Sequence, residues 1–472
     1  VTPLFRKIRK TGKALTGKFE HMVPAWAGSW WDDIKDSLWL LPTVFTLGCA
    51  ALAVSLVHLD SGLVFGQTLA RNPLLFGGGA EGARGVLSAI ASSVVTVTGT
   101  IFSIVIVALQ LASGQFTPRV MRHFTGDRIN QMVLAAMIGT FTYCLLVLRT
   151  IRSADDQRGA FVPTVSVSVG ILLALICIAG LILFIHHSAK QLQVSFIIQR
   201  AAEDTDHLIC TTFPESGDGK ASSGGFALPR GEPNVVRAHS SGYLQDINLE
   251  HLKDLAANRD LTIHLLHTYG THVLVGMELA RVWSRNGRIA VDDVRRIQDN
   301  MIIGIQRTLL HDVTFGIRQI ADIAVKALSP GINDPTTATQ AIDTLNDLLV
   351  RAGSRDPAPL AIDVDGRPAI FREPVAFSSL VDVAYTQIRH YGAADSVVMA
   401  HLIDGLRRVA ELVPEQNRAI LYVHGRLALA EALEAADLSE VRSTLQEVGA
   451  WTRATGTPPR SLQIDPDALV ST

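Results

Sequence analysis

Residues 85–119, GVLSAIASSVVTVTGTIFSIVIVALQLASGQFTPR, are apolar over a length that crosses a bilayer, yet hydroxyls and amides run through them. At about 100° per residue, Ser88, Ser92, Thr96, Gly99, Ser103 and Gln110 fall within roughly an 80° sector, while Ile90, Val94, Val97, Ile101, Ile104 and Ala108 face the other way. The apolar side suits lipid. The polar side does not, because in hydrocarbon it has to meet another helix, another subunit or water. The stretch therefore marks a membrane protein and places this helix in the interior of an assembly.

Three further runs, 38–59, 129–148 and 163–185, have the roughly twenty apolar-rich residues that a hydrocarbon core of about 30 Å requires. With 86–112 they make four spans, and an even number puts both chain ends on one side. Arg6, Lys7, Arg9, Lys10, Lys13 and Lys18 lie before the first span, and Arg119, Arg122 and Arg128 lie between the second and third. Basic segments stay in the cytoplasm, so the N- and C-termini are expected there, in a multi-pass protein of a bacterial inner membrane. Trp26, Trp30, Trp31 and Trp39 suit the headgroup level, which makes 1–36 a basic, Trp-rich interfacial segment rather than a signal peptide. The loop LVFGQTLARNPLLFGGGAEG is more apolar than a solvated loop and fits the outer interface, a fold back toward the axis, or a plain surface path.

Beyond the membrane domain, 37–189, the pattern changes. A connecting helix is expected over 190–213, and 214–233 is rich in Gly, Ser and Pro, as linkers are. Alternation at 235–238, 242–247, 262–267 and 272–275 predicts a small β module over 234–284. Its segment GTHVLVGMELARV is similar to the turn-and-strand pattern of biotinyl and lipoyl modules, but no lysine occurs between Lys253 and Lys326 to carry a group. From 285 to 455 the spacing is helical, as in Ile302, Ile305 and Leu309 or Leu406, Val409 and Leu412. Helices are predicted at 291–327, 335–352, 378–391, 395–413, 416–435 and 438–453, followed by a loose tail over 456–472. The fold class is an α-helical membrane protein: four transmembrane helices, a small β-rich module and a helical cytoplasmic domain.

A formal net charge of −2 gives no global basic field for nucleic acid. Cys49, Cys144, Cys177 and Cys210 form neither a disulfide framework nor a CxxC metal pair, and read as small buried hydrophobes. No P-loop, dinucleotide glycine motif, HExxH or nucleophile elbow is present, so no catalytic residue, metal or cofactor is assigned. His264, His267 and His272 are close in sequence, and a turn through Tyr269 and Gly270 would gather them as a zinc or proton site; separate strand histidines are the plainer account. His311-Asp312 lacks the further ligands of a metal phosphohydrolase.

The most distinctive local sequence is ALSPGINDPTTA, 327–338. Ser329, Pro330 and Gly331 stop one helix, and Asp334 before Pro335 is a natural N-cap for the next; Asn333 and Asp334 are also candidates for an unidentified ligand or ion. This motif, preceded by TFGIRQIADIAVKA, together with FSIVIVALQLASGQFTPR, resembles a bacterial family of predicted membrane proteins defined by a domain of unknown function. The resemblance covers most of the chain and implies architecture without an activity. His311-Asp312-Val313 stands where the family pattern has Gln-Asp-Pro.

The functional expectation is a homo-oligomeric channel or transport protein for ions or small solutes. Ser92, Thr96, Gly99, Ser103 and Gln110 would line the path, Ile106 and Val107 would form a hydrophobic constriction, and Arg119 and Arg122 a cytoplasmic mouth. The partners are the lipid bilayer and further copies of the chain. The rival is a membrane-anchored sensor or scaffold whose cytoplasmic domain binds a ligand or partner, with the polar stripe serving only to pack helices.

Overall fold

The computed structural model describes residues 40–61, 76–115, 127–153, 160–191, 193–215, 228–229, 231–284, 289–357, 360–364, 367–436 and 439–453. The Trp-rich segment 1–36, Arg119, Arg122, most of the first loop and of the linker, and the tail 456–472 lie outside the described residues. The chain divides into two compact units, Val1–Gln193 and Val194–Thr472.

The first unit holds four helices long and apolar enough to cross a membrane: α1 (Leu40–Ser61), α2 (Ala80–Gln115), α3 (Arg128–Leu148) and α4 (Thr164–Gln191). Its hub is α3, which packs on all three others. Half of the apolar stretch of α3 is buried, against 17% of the corresponding stretch in each of the others. Small residues allow this. A Cβ at Gly139 of α3 would stand 2.8 Å from Cys49 Sγ and 2.9 Å from Phe45 Cδ1 of α1, and one at Gly170 of α4 would stand 2.9 Å from Leu87 Cδ2 of α2. Polar bonds pin both ends of the bundle. At one end Asp60, on the last turn of α1, caps α4: it accepts from Val165 N at 3.2 Å, Ser166 N at 2.9 Å and Ser166 Oγ at 2.7 Å. Tyr143 donates to the Ser166 carbonyl at 2.8 Å, and Arg84 Nη2 to that of Ile151 at 2.9 Å. At the other end Asp127 caps α3 and meets His187 of α4 at 3.0 Å.

The second unit opens with α5 (Val194–Thr212), which packs on α8 (Val313–Ala327) and α9 (Pro335–Gly353). Next come β1 (Asn234–Arg237), β2 (Gly242–Ile247), α6 (Leu249–Arg259), β3 (Leu261–Leu265), β4 (His272–Val273) and β5 (Glu278–Ser284). After α7 (Val291–Asp299) and β6 (Met301–Gly304), the pair β7 (Ala361–Val364) and β8 (Arg367–Arg372) returns to the strands. One sheet has the order β1-β5-β3-β8-β7, antiparallel except for the parallel pair β3 and β8; the other is β4-β2-β6, antiparallel throughout. Leu244, Leu252, Ile263, Leu279, Val282, Ile297 and Ile370 close one core between them.

The helix expected over 291–327 is broken: the Asn300 cap ends α7, β6 pairs with β2, and α8 starts at Val313 under its own cap, Asp312. Ile302, Ile305 and Leu309 therefore do not share a helix face, and their spacing is that of a short apolar strand followed by a loop. The sheets also reach past residue 284, because β6, β7 and β8 complete them.

The remaining helices are α10 (Phe377–Gly392), α11 (Ser396–Leu412), α12 (Glu415–Ala435) and α13 (Ser439–Val448). Their interior is apolar apart from a few bonded polar groups. Tyr385 donates to Asn346 Oδ1 at 2.5 Å, and buried His424 meets Asp382 Oδ1 at 2.8 Å. Burial holds the His424 imidazole below its ordinary pKa, against the opposing pull of Asp382.

Candidate functional site: the outward face of α2

Ala83, Leu87, Ala91, Val94 and Ile101 recur at helical spacing along α2, and all are buried against α3 and α4 or against the end of α1. Every residue of the predicted stripe, Ser88, Ser92, Thr96, Gly99, Ser103 and Gln110, is exposed on the opposite side. The sequence reading turned the apolar sector toward lipid. The structure turns Val94 and Ile101 into the chain's own bundle instead, while Ile104 is 44% exposed. Ile106 and Val107 are exposed as well, on the outside of the single-chain bundle.

The stripe partly answers its own polarity. Ser92 Oγ donates to the Ala89 carbonyl at 3.1 Å, Thr96 Oγ1 to Ser92 at 2.9 Å, Thr100 Oγ1 to Thr96 at 3.2 Å and Ser103 Oγ to Gly99 at 3.0 Å. Such back-bonding satisfies each hydroxyl donor and leaves its acceptor lone pairs facing out. Gly99 has nothing within 4 Å of a built Cβ, so another backbone has room to approach it closely. The helix also starts earlier than its hydropathy suggested. Beginning at Ala80, it brings Glu81 onto the polar sector, where the carboxylate is exposed. Arg84 lies off that sector and is held by Ile151. The signal for this is the unbroken helical phase from Glu81 through Gly85 to Ser88, masked by two glycines.

The other predicted positions stay apart from this face. In the corner between α8 and α9, Asp334 caps α9: its oxygens accept from Thr337 N at 3.1 Å and Thr337 Oγ1 at 2.6 Å, and Pro335 is the first helical residue. These bonds hold its carboxyl below the usual range, the Thr337 hydroxyl contributing most. Asn333 takes a left-handed φ of 49°, and Ser329 Oγ closes onto the Lys326 carbonyl; Pro330 and Gly331 are exposed at the turn. Asp312 is buried among Arg307, Thr314 and the Phe315 amide, bonded to all three. The three histidines are not gathered. His264 sits on β3 of one sheet, its pKa lowered by burial; His267 donates to the Glu278 carbonyl, and His272 stands edge-on to Tyr243 in the other sheet. Among the described residues, no group of three or more His, Cys, Asp or Glu is placed to hold a metal ion.

These features define a four-span α-helical membrane protein carrying a mixed α/β C-terminal unit. More particularly, residues 35–408 match the family described as predicted membrane protein (DUF2254), and the chain belongs to that family. It is 32% identical over 431 residues to an uncharacterized protein of Mycobacterium tuberculosis and to one of Mycobacterium bovis, covering 90% of this chain and 81% of each relative. No solved structure matches it.

Proposed function

We propose that the protein is a homo-oligomeric channel or transport protein of a bacterial inner membrane, with α2 of each copy lining a shared path for ions or small solutes. One observation carries this reading: among the described residues, the polar face of α2 looks out of its bundle, which leaves it open to a further copy of the chain. Lipid is a poor partner for a sector of hydroxyls, Gly99 and the Gln110 amide, whose four hydrogen-bonding positions no helix backbone can satisfy. A ring of such faces gives a polar lining, with Glu81 at one end and Ile106 and Val107 as the apolar constriction. In this reading both termini and the second unit are cytoplasmic, Arg119 and Arg122 stand at the mouth on that side, and the Ser329 to Pro335 corner keeps α8 and α9 in register.

The test is labelling combined with flux. Cysteines at Ser92, Thr96 and Ser103 should react with a small water-soluble thiol reagent at least about ten times faster than one at Ile182 on the outer face of α4. Val107→Ser should raise ion flux in proteoliposomes, since a polar lining lowers the cost of wetting a narrow gap. Protection along the whole stripe, with no flux before or after the substitution, would leave the anchored sensor or scaffold as the better reading.

A further inference from the structure

The sheet β4-β2-β6 ends in a tip that faces solvent with the wrong chemistry for water. Because β2 is antiparallel to both neighbours, Gly242 lies opposite Val273 and Tyr243 opposite Gly304, so β4 and β6 leave the sheet at the same end. What leaves there is apolar. Leu274 is 59% exposed, Val275 67%, Met277 36%, and Ile305, directly after β6, 91%. A tight turn between strands is ordinarily built of Gly, Asn, Asp or Ser. Here only Gly276, at φ +83°, follows that rule.

The turn is firmly held. Gly276 N donates to the Ala238 carbonyl at 2.8 Å, Ala238 N to Met277 at 2.8 Å, Met277 N to Leu274 at 3.0 Å, Val275 N to Ser241 Oγ at 2.9 Å and Arg237 Nη1 to Gly276 at 2.9 Å. With the backbone committed, the side chains cannot fold back into the core, whose places are taken by Val273 and Leu279, both fully buried. An exposed apolar patch of this kind marks a contact with protein or membrane.

Its composition decides between the two. Protein hot spots are built on Trp, Tyr and Arg anchors; the four exposed tip side chains are aliphatic or methionine, and the neighbouring Tyr243 is half-buried against His272 rather than projecting with them. The segments forming it, 239–242, 271–277 and 303–306, contain no carboxylate and include His239 and His272. At its base Arg237 and Arg281 flank Glu278, at 3.5 and 3.2 Å. An apolar tip without negative charge, over a base with one arginine in excess, complements an anionic lipid surface. The same chain carries four candidate spans, so a bilayer is always within reach of its tether.

We propose that Leu274, Val275, Met277 and Ile305 form a membrane-insertion tip that enters the boundary between headgroups and acyl chains of an anionic leaflet. This does not depend on whether α2 lines a path. The experiment uses the full chain with Cys210→Ser, since Cys49, Cys144 and Cys177 are buried. A single cysteine at Val275 or at Ile305 carries an environment-sensitive fluorophore, in liposomes of phosphatidylcholine and phosphatidylglycerol. A third probe at Glu250, beyond the far end of β2, is the control. The expected result is blue-shifted emission and at least twofold quenching by doxyl-labelled lipid at Val275 and Ile305, with neither at Glu250. Both effects should weaken in phosphatidylcholine alone. Emission typical of water at both tip positions would overturn the proposal. So would shielding without lipid quenching that fades as protein is diluted into more lipid, because a second copy would then be the cover. Val275→Asp with Ile305→Asp, both on exposed side chains, should leave the fold intact and speed amide hydrogen exchange across 271–277 in liposomes; unchanged exchange counts against the proposal.

Discussion

Helices α2 and α4 are both ample spans by length and hydropathy, yet they offer the bilayer opposite surfaces. Outward from α4 stand Leu172, Leu175, Ile178, Ile182, Leu183 and Ile185, a continuous aliphatic surface. Outward from α2 stand Ser88, Ser92, Thr96, Gly99 and Ser103, interleaved with exposed Val95, Phe102, Ile106 and Val107. Hydropathy averages around the helix, so it registers how much apolar surface a span has and not where that surface goes. The outward surface of α2 mixes hydroxyls with apolar residues, and that of α4 is aliphatic without interruption. The lesson is that a span's environment is set by its rotation against the hub α3, which neither span's own sequence states.

The sharpest way to break this contrast is to enlarge a glycine on each kind of surface. Gly139→Leu forces side chain into Cys49 and Phe45, and overpacking of this sort costs about 1–3 kcal/mol or more. The yield of monodisperse protein in detergent should fall several-fold. Gly99→Leu meets nothing within its own chain and should leave the purified chain folded, while removing cross-linked oligomers. If Gly99→Leu unfolds the chain as readily as Gly139→Leu, then α2 does not face outward.

A second comparison sets the same interaction in two media. Asp60 caps α4 in the bundle and Asp334 caps α9 in the other unit. Asp60→Ala strands three donors, two of them on fully buried Ser166, and should cost roughly 1–3 kcal/mol. Asp334→Ala should cost about 1 kcal/mol, and Asp334→Asn or Asp334→Ser close to nothing. Thermal denaturation of each variant checks the order; equal losses would show that the surroundings of the cap do not matter.

The smallest effect is one of pH. The Asp334 carboxyl is held below its unfolded value of about 3.9, so its contribution is complete above that value and is lost as pH falls through the lower folded one. Between about pH 5 and about pH 3 the native chain should therefore lose slightly more stability than Asp334→Asn. Parallel melting curves would remove capping from the explanation of the motif.

Much of this architecture was legible in the chain. The four spans stood out by length, and the cap at Asp334 by its position before Pro335, because both are local properties. What escaped were pairings between distant residues. Nothing in RPAIFR, residues 367–372, announces β3 as its neighbour, and MIIG reads equally well as a helical turn until β2 is placed beside it. The candidate stripe was visible as a periodicity, but its direction was not. Facing out of the bundle rather than into it follows from Leu87 meeting Gly170, a contact between separate helices. Glu81 was missed because Gly82 and Gly85 weaken the helix signal where α2 begins.

The parallel strand β8 has a consequence for how the chain is made. Strand β3 is complete at Leu265, but the edge that β8 covers stays open until Arg372 has been synthesised, about a hundred residues later. At about 5–20 residues per second, that is roughly 5–20 s during which the nascent sheet, already paired on its β5 side, presents one open apolar edge. Polysomes making this protein therefore carry neighbouring chains with the same open edge, and Ile263 to Leu265 is the segment from which mispairing between them would start.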